Sequence, residues 1–112
     1  MGYSNRVTAS STPPTTMNPA IAAAISRAWP ELEQLGVEHI DVFGSEARGE
    51  ASASSDVDVL VHLRKPSLRV LVDVRDRLSE LLGRRVDVLT PGALETRPRL
   101  RERVLREAIR VA

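Results

Sequence analysis

The sequence has 112 residues, which is enough for one modest hydrophobic core and too little for a separate substrate-recognition domain. It contains no cysteine, which excludes disulfides, thiolate metal sites and cysteine nucleophiles. The net charge of +1 favours neither a nucleic-acid partner nor an acidic one, and one Trp, one Tyr and one Phe leave little for base stacking, so direct nucleic-acid binding is not expected.

The sequence shows no sign of membrane insertion or export. No apolar run approaches the ~18–20 residues that span a bilayer, and the N-terminus lacks the apolar segment of a signal peptide. A chain without cysteine is also compatible with a reducing compartment. We therefore expect a cytoplasmic protein that does not associate with membranes.

The N-terminal segment differs in composition from the rest of the chain. Residues 1–17 are rich in Ser and Thr, contain two adjacent prolines and offer almost nothing to bury. This composition predicts a disordered tail. We expect the folded domain to occupy residues 18–112.

The first predicted helix has clear start and stop signals. Asn18 is a favourable N-cap, Pro19 suits the first helical position, and Gly36 is a typical C-terminal residue. Pro30 lacks the N–H that a helix needs, so we expect it to kink or restart this helix. Apolar residues recur at helical spacing between these signals: Ile21, Ile25, Ala28 and Leu32.

The middle of the chain alternates between strand and helix patterns. Val37 to Phe43 is a β-rich run, and residues 44–53 are small and polar, which predicts a turn with room for one helical turn. Asp56 to Leu63 alternates as a second strand. Ser67 to Leu82 has an apolar stripe at helical spacing, and Val86 to Leu89 is a third short strand before a Pro-Gly pair.

The C-terminal end is predicted to be a basic amphipathic helix over residues 99–111. Its inward positions are Leu100, Val104, Ala108 and Val111. From residue 84 onward there are eight arginines against four acids: Arg84, Arg85, Arg97, Arg99, Arg101, Arg103, Arg106 and Arg110 against Asp87, Glu95, Glu102 and Glu107. These arginines are either a solvated helix face or a surface for an acidic partner.

The order of elements predicts one small α/β domain in which helices flank a single sheet of three strands. The order and direction of those strands do not follow from the residues alone.

An Asp-x-Asp pair opens the second strand. Asp56 and Asp58 are two residues apart, so in a strand their side chains project from the same face. Unpaired, two such carboxylates would repel each other, whereas Mg²⁺ binds one or two carboxylates together with phosphates and water. The pair therefore indicates a divalent-cation site. The simpler alternative is an edge strand with two solvated acids.

A Gly-Ser turn follows the first strand directly. Gly44 lets the backbone approach a ligand closely, and Ser45 adds a hydroxyl where free backbone N–H groups can bind phosphate. Arg48 lies one turn further and could reach a phosphate or Asp56. Most Gly-Ser pairs are ordinary turns, but Asp56 follows Ser45 by eleven residues. The two motifs together favour a nucleoside triphosphate site.

Asp87 lies in the middle of the apolar third strand, where a carboxylate is costly unless it is paired or binds a metal. If the third strand neighbours the second, Asp87 lies about one strand spacing from the Asp-x-Asp face, and three carboxylates could hold two cations. The alternative is an ion pair with Arg84 or Arg85. The two histidines, His39 and His62, are interpreted as structural or surface residues.

These motifs together resemble those of the minimal nucleotidyltransferases, the MNT group of the DNA polymerase beta superfamily. The similarity rests on three segments and extends over residues 20–110: Phe43-Gly44-Ser45-Glu46-Ala47-Arg48-Gly49, Ser55-Asp56-Val57-Asp58-Val59-Leu60-Val61 and Val86-Asp87-Val88-Leu89. It implies a polymerase-beta-like core with a three-stranded mixed sheet.

The resemblance also implies roles for the site residues. Asp56, Asp58 and Asp87 would be catalytic and would hold two Mg²⁺ ions, with Asp87 also helping to activate the acceptor hydroxyl. Gly44 and Ser45 would bind the triphosphate of ATP, and Arg48 would be a further nucleotide contact. Such transfer depends mainly on positioning and charge neutralisation, which suits a chain without a cysteine nucleophile.

The resemblance further implies a partner. In the MNT group it is a helical HEPN-type toxin encoded nearby, which the MNT protein neutralises in a hetero-oligomeric complex and by adding AMP. The basic last helix and the tail are candidate docking surfaces. Two alternatives stay open: an antitoxin that acts by binding alone with an idle site, and nucleotidyl transfer to a small molecule or an RNA end.

Overall fold

The structure is a computed structural model that describes residues 18–52 and 55–112. The prediction of a disordered tail over residues 1–17 lies outside these ranges. Within them the chain forms an α/β arrangement of one mixed sheet flanked by helices, as the sequence predicts.

Helix α1 spans Pro19–Leu35 and has the predicted ends. The Asn18 side chain accepts a hydrogen bond from the Ala20 N–H at 2.9 Å, and Gly36 ends the helix with φ +111°. The four predicted apolar positions are all buried. The expected kink or restart at Pro30 does not appear as a break in the helix: Pro30 is exposed, and the buried residues on either side of it hold one continuous element.

The strands that the structure describes form a sheet in the order β3-β2-β1-β4. Strands β1 (Val37–Phe43) and β2 (Val57–Leu63) are antiparallel, β3 (Val86–Leu89) is parallel to β2, and β4 (Ile109–Arg110) is antiparallel to β1. This order and these directions were not derivable from the residues, because they depend on non-local pairing.

The main hydrophobic core lies on one face of the sheet. Helix α3 (Leu68–Leu82) begins at Ser67, whose hydroxyl accepts a hydrogen bond from the Val70 N–H at 3.2 Å, and it packs beside α1. Its Val74 and Leu78 are fully buried in this core. The other members come from α1 and the three longer strands: Ile21, Ile25, Ala28, Leu32, Val37, Ile40, Val42, Val57, Val59, Val61 and Val86.

The opposite face of the sheet is only partly covered. Helix α5 (Pro98–Glu107) and the single turn α4 (Pro91–Leu94) contribute Val104 and Leu94 to a small second cluster with Phe43 and Leu60. This cluster occupies the middle of the face. On the same face, Asp58 is half-buried and Asp87 is exposed, whereas Asp41 is buried.

The C-terminal end differs from its prediction. The helix predicted over residues 99–111 ends at Glu107, and the next residues form strand β4, in which Ile109 pairs with Val42 and Arg110 with Asp41. Among the residues that the structure describes, the sheet thus has four strands where three were expected. Ala108 and Val111 are partly buried beside the sheet and not on the inner face of a helix.

Within the part of the chain described here, no helix combines the length and the apolar character needed to cross a membrane.

Candidate active site

Two of the predicted carboxylates lie side by side at one end of the open sheet face. Parallel pairing of β2 with β3 places Asp58 opposite Asp87, and antiparallel pairing of β1 with β2 places Phe43 opposite Asp58. Directly opposed residues project from the same face, about one strand spacing of ~4.8 Å apart. The proximity expected between Asp58 and Asp87 is therefore present.

The Gly-Ser turn is in direct contact with this pair. Gly44 has φ +73° and ψ −148°, a conformation that side chains with a Cβ rarely adopt. A Cβ at Gly44 would collide with Oδ2 of Asp58 and lie 3.2 Å from its Cγ. The absence of a side chain at Gly44 is thus what allows the turn and the Asp58 carboxylate to share this space.

The surroundings of Asp58 raise the pKa of its carboxyl. Burial raises the pKa of the Asp58 carboxyl, and the negative charges of Asp87 and Asp56 raise that pKa further. The positive charges of Arg103 and Arg48 act in the opposite direction and do not outweigh these causes. Asp58 is therefore a carboxylate whose negative charge is incompletely compensated by the protein.

Asp56 lies just before β2 and is more exposed than Asp58. Its Oδ2 is 3.9 Å from Nε of Arg85, a long contact between two exposed side chains that contributes little stability. Within residues 18–52 and 55–112, no three His, Cys, Asp or Glu side chains converge closely enough to form a complete metal-binding set. The structure therefore brings Asp58 and Asp87 together, with Asp56 close enough to act on Asp58 through its charge.

The alternative interpretation of Asp87, an ion pair with Arg84 or Arg85, is not what the structure shows. Arg84 binds Glu46 at 2.6 Å, and Arg85 faces Asp56. Asp87 itself is exposed at the site end of β3.

A buried ion pair holds the turn segment against the sheet. Glu46, in the short helix α2 (Ser45–Arg48), is 4% exposed, and its carboxylate accepts from Arg84, which precedes β3. The same guanidinium donates to the backbone oxygens of Ser52 and Ser55. Arg84 thereby connects α2 and the start of β2 to β3, and so fixes the turn relative to the carboxylates.

Arg48, predicted as a further nucleotide contact, forms two ion pairs in this structure, and its positive charge also acts on Asp58. Its Nε donates to Glu50 at 2.9 Å and its Nη1 to Glu107 of α5 at 3.0 Å. Its guanidinium is thus engaged by two carboxylates.

Beyond the residues that the sequence predicts for the site, three arginines line the cleft beside the carboxylates. The cleft has a volume of about 430 Å³ and includes Asp58, Asp87, Arg75, Arg97 and Arg103. The surplus of arginine near the C-terminus was visible in the sequence. The sequence could not show which of these arginines line the cleft, because that depends on how α5 packs on the sheet.

The two histidines are structural, as interpreted from the sequence. His62 lies on the same strand face as Asp58, but its Nε2 is 2.9 Å from Oδ2 of Asp41, and its ring contacts His39 edge to face. Burial alone would raise the pKa of Asp41, but hydrogen bonds from Arg110 and then from His62 hold the pKa of Asp41 below its usual value. This group links β1, β2 and β4.

Comparison with known proteins identifies the family. The model of the nucleotidyltransferase domain family matches residues 25–111. A Methanocaldococcus jannaschii protein named as a candidate protein adenylyltransferase is 42% identical over 83 residues, which cover 73% of this chain and 87% of that protein. Protein adenylyltransferase MntA of Thermococcus cleftensis is 42% identical over 80 residues, which cover 70% of this chain and 79% of that protein.

Solved structures agree with this match. A candidate minimal nucleotidyltransferase is 40% identical and superposes with a TM-score of 0.63, covering 81% of this chain and 88% of that one. A complex of an AMPylated Shewanella oneidensis HEPN toxin with an MNT antitoxin shares the fold with a TM-score of 0.59 at 16% identity, covering 82% of this chain and 71% of that one. The family match over most of its length and the fold it shares with a close relative show that this chain belongs to the nucleotidyltransferase domain family and is an enzyme of the minimal nucleotidyltransferase type.

Proposed function

We propose that this protein transfers AMP from ATP to a partner protein, a helical HEPN-type toxin, and thereby acts as its antitoxin in a Mg²⁺-dependent reaction. The observation that carries the proposal is the placement of Asp58 and Asp87 side by side against the Gly44 turn. The names of the relatives support the same activity, since two of them are called protein adenylyltransferases. Solved complexes of the same fold support the type of partner, and one of them was determined with AMP-PNP.

The donor set fits a magnesium ion. Asp58 and Asp87 offer hard oxygen ligands, and their mutual repulsion would be relieved by a divalent cation. Mg²⁺ usually takes one or two carboxylates together with phosphate oxygens and water, so the lack of a third converging side chain among the described residues agrees with binding as a metal–nucleotide complex. When bound, the ion would neutralise charge on the phosphates during transfer.

The roles of the residues follow from their positions. Gly44 and Ser45 present backbone N–H groups and a hydroxyl where the phosphates of ATP would lie, next to Asp58. Asp56, Asp58 and Asp87 would hold the metal–nucleotide complex, and exposed Asp87 would also accept a hydrogen bond from the acceptor hydroxyl. In the proposed transfer the acceptor oxygen forms a bond to the α-phosphorus, the bond from that phosphorus to the bridging oxygen breaks, pyrophosphate leaves, and the hydroxyl proton passes to the Asp87 carboxylate.

A transfer assay with the partner protein tests this proposal. The protein, Mg²⁺ and the product of the adjacent gene are incubated with ATP labelled at the α-phosphate, and the Asp56→Asn/Asp58→Asn variant serves as control. We expect label on the partner that is absent with the variant. If the wild-type complex forms tightly but transfers no label, the protein acts as an antitoxin by binding alone, and if neither complex nor label appears, the acceptor is of another class.

A further inference from the structure

Two arginines of the α5 segment line the cleft and form no ion pair with a carboxylate among the described residues. Arg97 and Arg103 line the same cleft as Asp58 and Asp87. Over the residues that the structure describes, neither guanidinium forms an ion pair, whereas Arg48 binds both Glu50 and Glu107. The cleft therefore contains two cations available to an incoming anion.

The packing of α5 places these two residues beside the cleft. Arg97, Leu100 and Arg103 are spaced three residues apart, so they follow one side of the α5 segment. Leu100 lies at the centre of this series and packs against the cluster formed by Phe43, Leu60 and Leu94. The apolar contact thus directs the arginine on either side of it towards the carboxylates.

The remaining arginines of α5 do not share this position. Arg106 pairs with Glu102, and both line a separate groove together with Arg101. Arg99 is exposed and lies in neither groove. If the arginines of α5 were only a solvated helix face, Arg97 and Arg103 would have the same surroundings as these neighbours. They differ because they line the cleft with Asp58 and Asp87, which the neighbours do not.

We propose that Arg97 and Arg103 bind the phosphate tail of the nucleotide substrate. This inference rests on the proposed function and changes its residue assignment, because the phosphate contact expected of Arg48 passes to these two residues. Guanidinium groups bind phosphate oxygens through paired charge-assisted hydrogen bonds. They would also offset the repulsion between the phosphates and the two carboxylates.

Calorimetric titration of the full chain tests this assignment without a partner protein. Binding of ATP and of inorganic triphosphate, each with Mg²⁺, is compared among the wild type, Arg97→Gln, Arg103→Gln and the matched control Arg99→Gln. Each cleft variant loses charge-assisted hydrogen bonds to phosphate, so it should bind both ligands about tenfold or more weakly. Arg99→Gln should bind them like the wild type, and Arg103→Lys should recover part of the affinity.

Two contrary outcomes are distinguishable. If the wild type binds both ligands and the cleft variants bind them equally well, the arginines do not contact the phosphate tail, although the proposed function stands. If the wild type binds neither ligand, the proposed function fails and the inference fails with it. Melting curves of every variant without ligand show whether each has kept its fold.

Discussion

At the scale of single residues, the site depends on one close contact between the Gly44 backbone and the Asp58 carboxylate. The turn can adopt φ +73° and ψ −148° beside Asp58 because residue 44 has no side chain. The two sequence motifs are therefore parts of one packed unit, although 14 positions separate Gly44 from Asp58 in the chain.

Substitution of Gly44 by alanine should destabilise the fold and abolish transfer. The backbone conformation alone costs about 1–3 kcal/mol for a residue with a Cβ, and the collision with Asp58 adds to this cost. Gly83→Ala is the matched control, since Gly83 also has positive φ (+63°) but nothing lies within 4 Å of its Cβ position. We expect it to lose only about 1–2 kcal/mol and to keep activity. Urea unfolding measures both variants, and equal losses would refute the role of the contact.

The raised pKa of Asp58 predicts a pH-dependent stability. Between the ordinary carboxyl pKa of about 4 and the raised pKa of folded Asp58, the folded state binds more protons than the unfolded state. This contribution to the free energy of unfolding therefore falls as pH rises through that interval. Asp58→Asn should melt above the wild type at neutral pH without metal, and the difference should shrink towards pH 4.

The melting temperatures are measured from pH 4 to 8 in EDTA, with Asp73→Asn as control. Asp73 is an exposed acid of α3 outside the cleft, so its replacement removes one surface charge only. A constant difference between Asp58→Asn and wild type over this pH range would contradict the prediction.

At the scale of elements, the Glu46–Arg84 pair connects α2 to the segment before β3. Both side chains are largely buried, with 5% and 13% exposed, so removal of one partner leaves an uncompensated charge. Arg84→Met should cost about 3–5 kcal/mol, and Arg84→Met/Glu46→Gln should recover part of this loss. The exposed pair Arg106–Glu102 provides the control, since Arg106→Met should cost no more than about 1 kcal/mol. A double-mutant cycle by urea unfolding would refute the prediction if it gave no coupling energy.

Most elements could be predicted because local signals define them. The Asn18 cap, the Gly36 stop and the apolar stripe of α3 all appear where the sequence places them. The last helix was predicted too long because Ala108 and Val111 continue its apolar pattern, while the pairing of Ile109 with Val42 is non-local. Asp56 and Asp58 could be predicted as site residues because their spacing in a strand places them on one face. Arg97 and Arg103 could not, because many arginines lie near the C-terminus and only the non-local packing of α5 determines which of them line the cleft.

At the scale of the whole molecule, binding of Mg²⁺ and ATP at the open sheet face should stabilise the folded state. If Mg²⁺ and ATP bind at Asp58 and Asp87, they bind the folded state alone and stabilise it by mass action, by about 2.7 kcal/mol at a ligand concentration one hundred times Kd. We expect the melting temperature to rise with millimolar Mg²⁺ and ATP together. The Asp56→Asn/Asp58→Asn variant should show no such rise, and a wild type that melts unchanged would count against the metal site.

The parallel pairing of β2 with β3 has a consequence for how the molecule folds. Asp58 and Asp87 come to lie opposite each other only when β3 pairs with β2. That pairing requires α3, which connects the two strands, to bring the chain back alongside β2. Contacts between distant parts of a chain form slowly, and here the closing ladder must also bring two negative charges together. The repulsion between these two carboxylates therefore opposes the closing of the sheet. If they bind a divalent cation as proposed, refolding should be faster with Mg²⁺ than in EDTA, which stopped-flow refolding would measure.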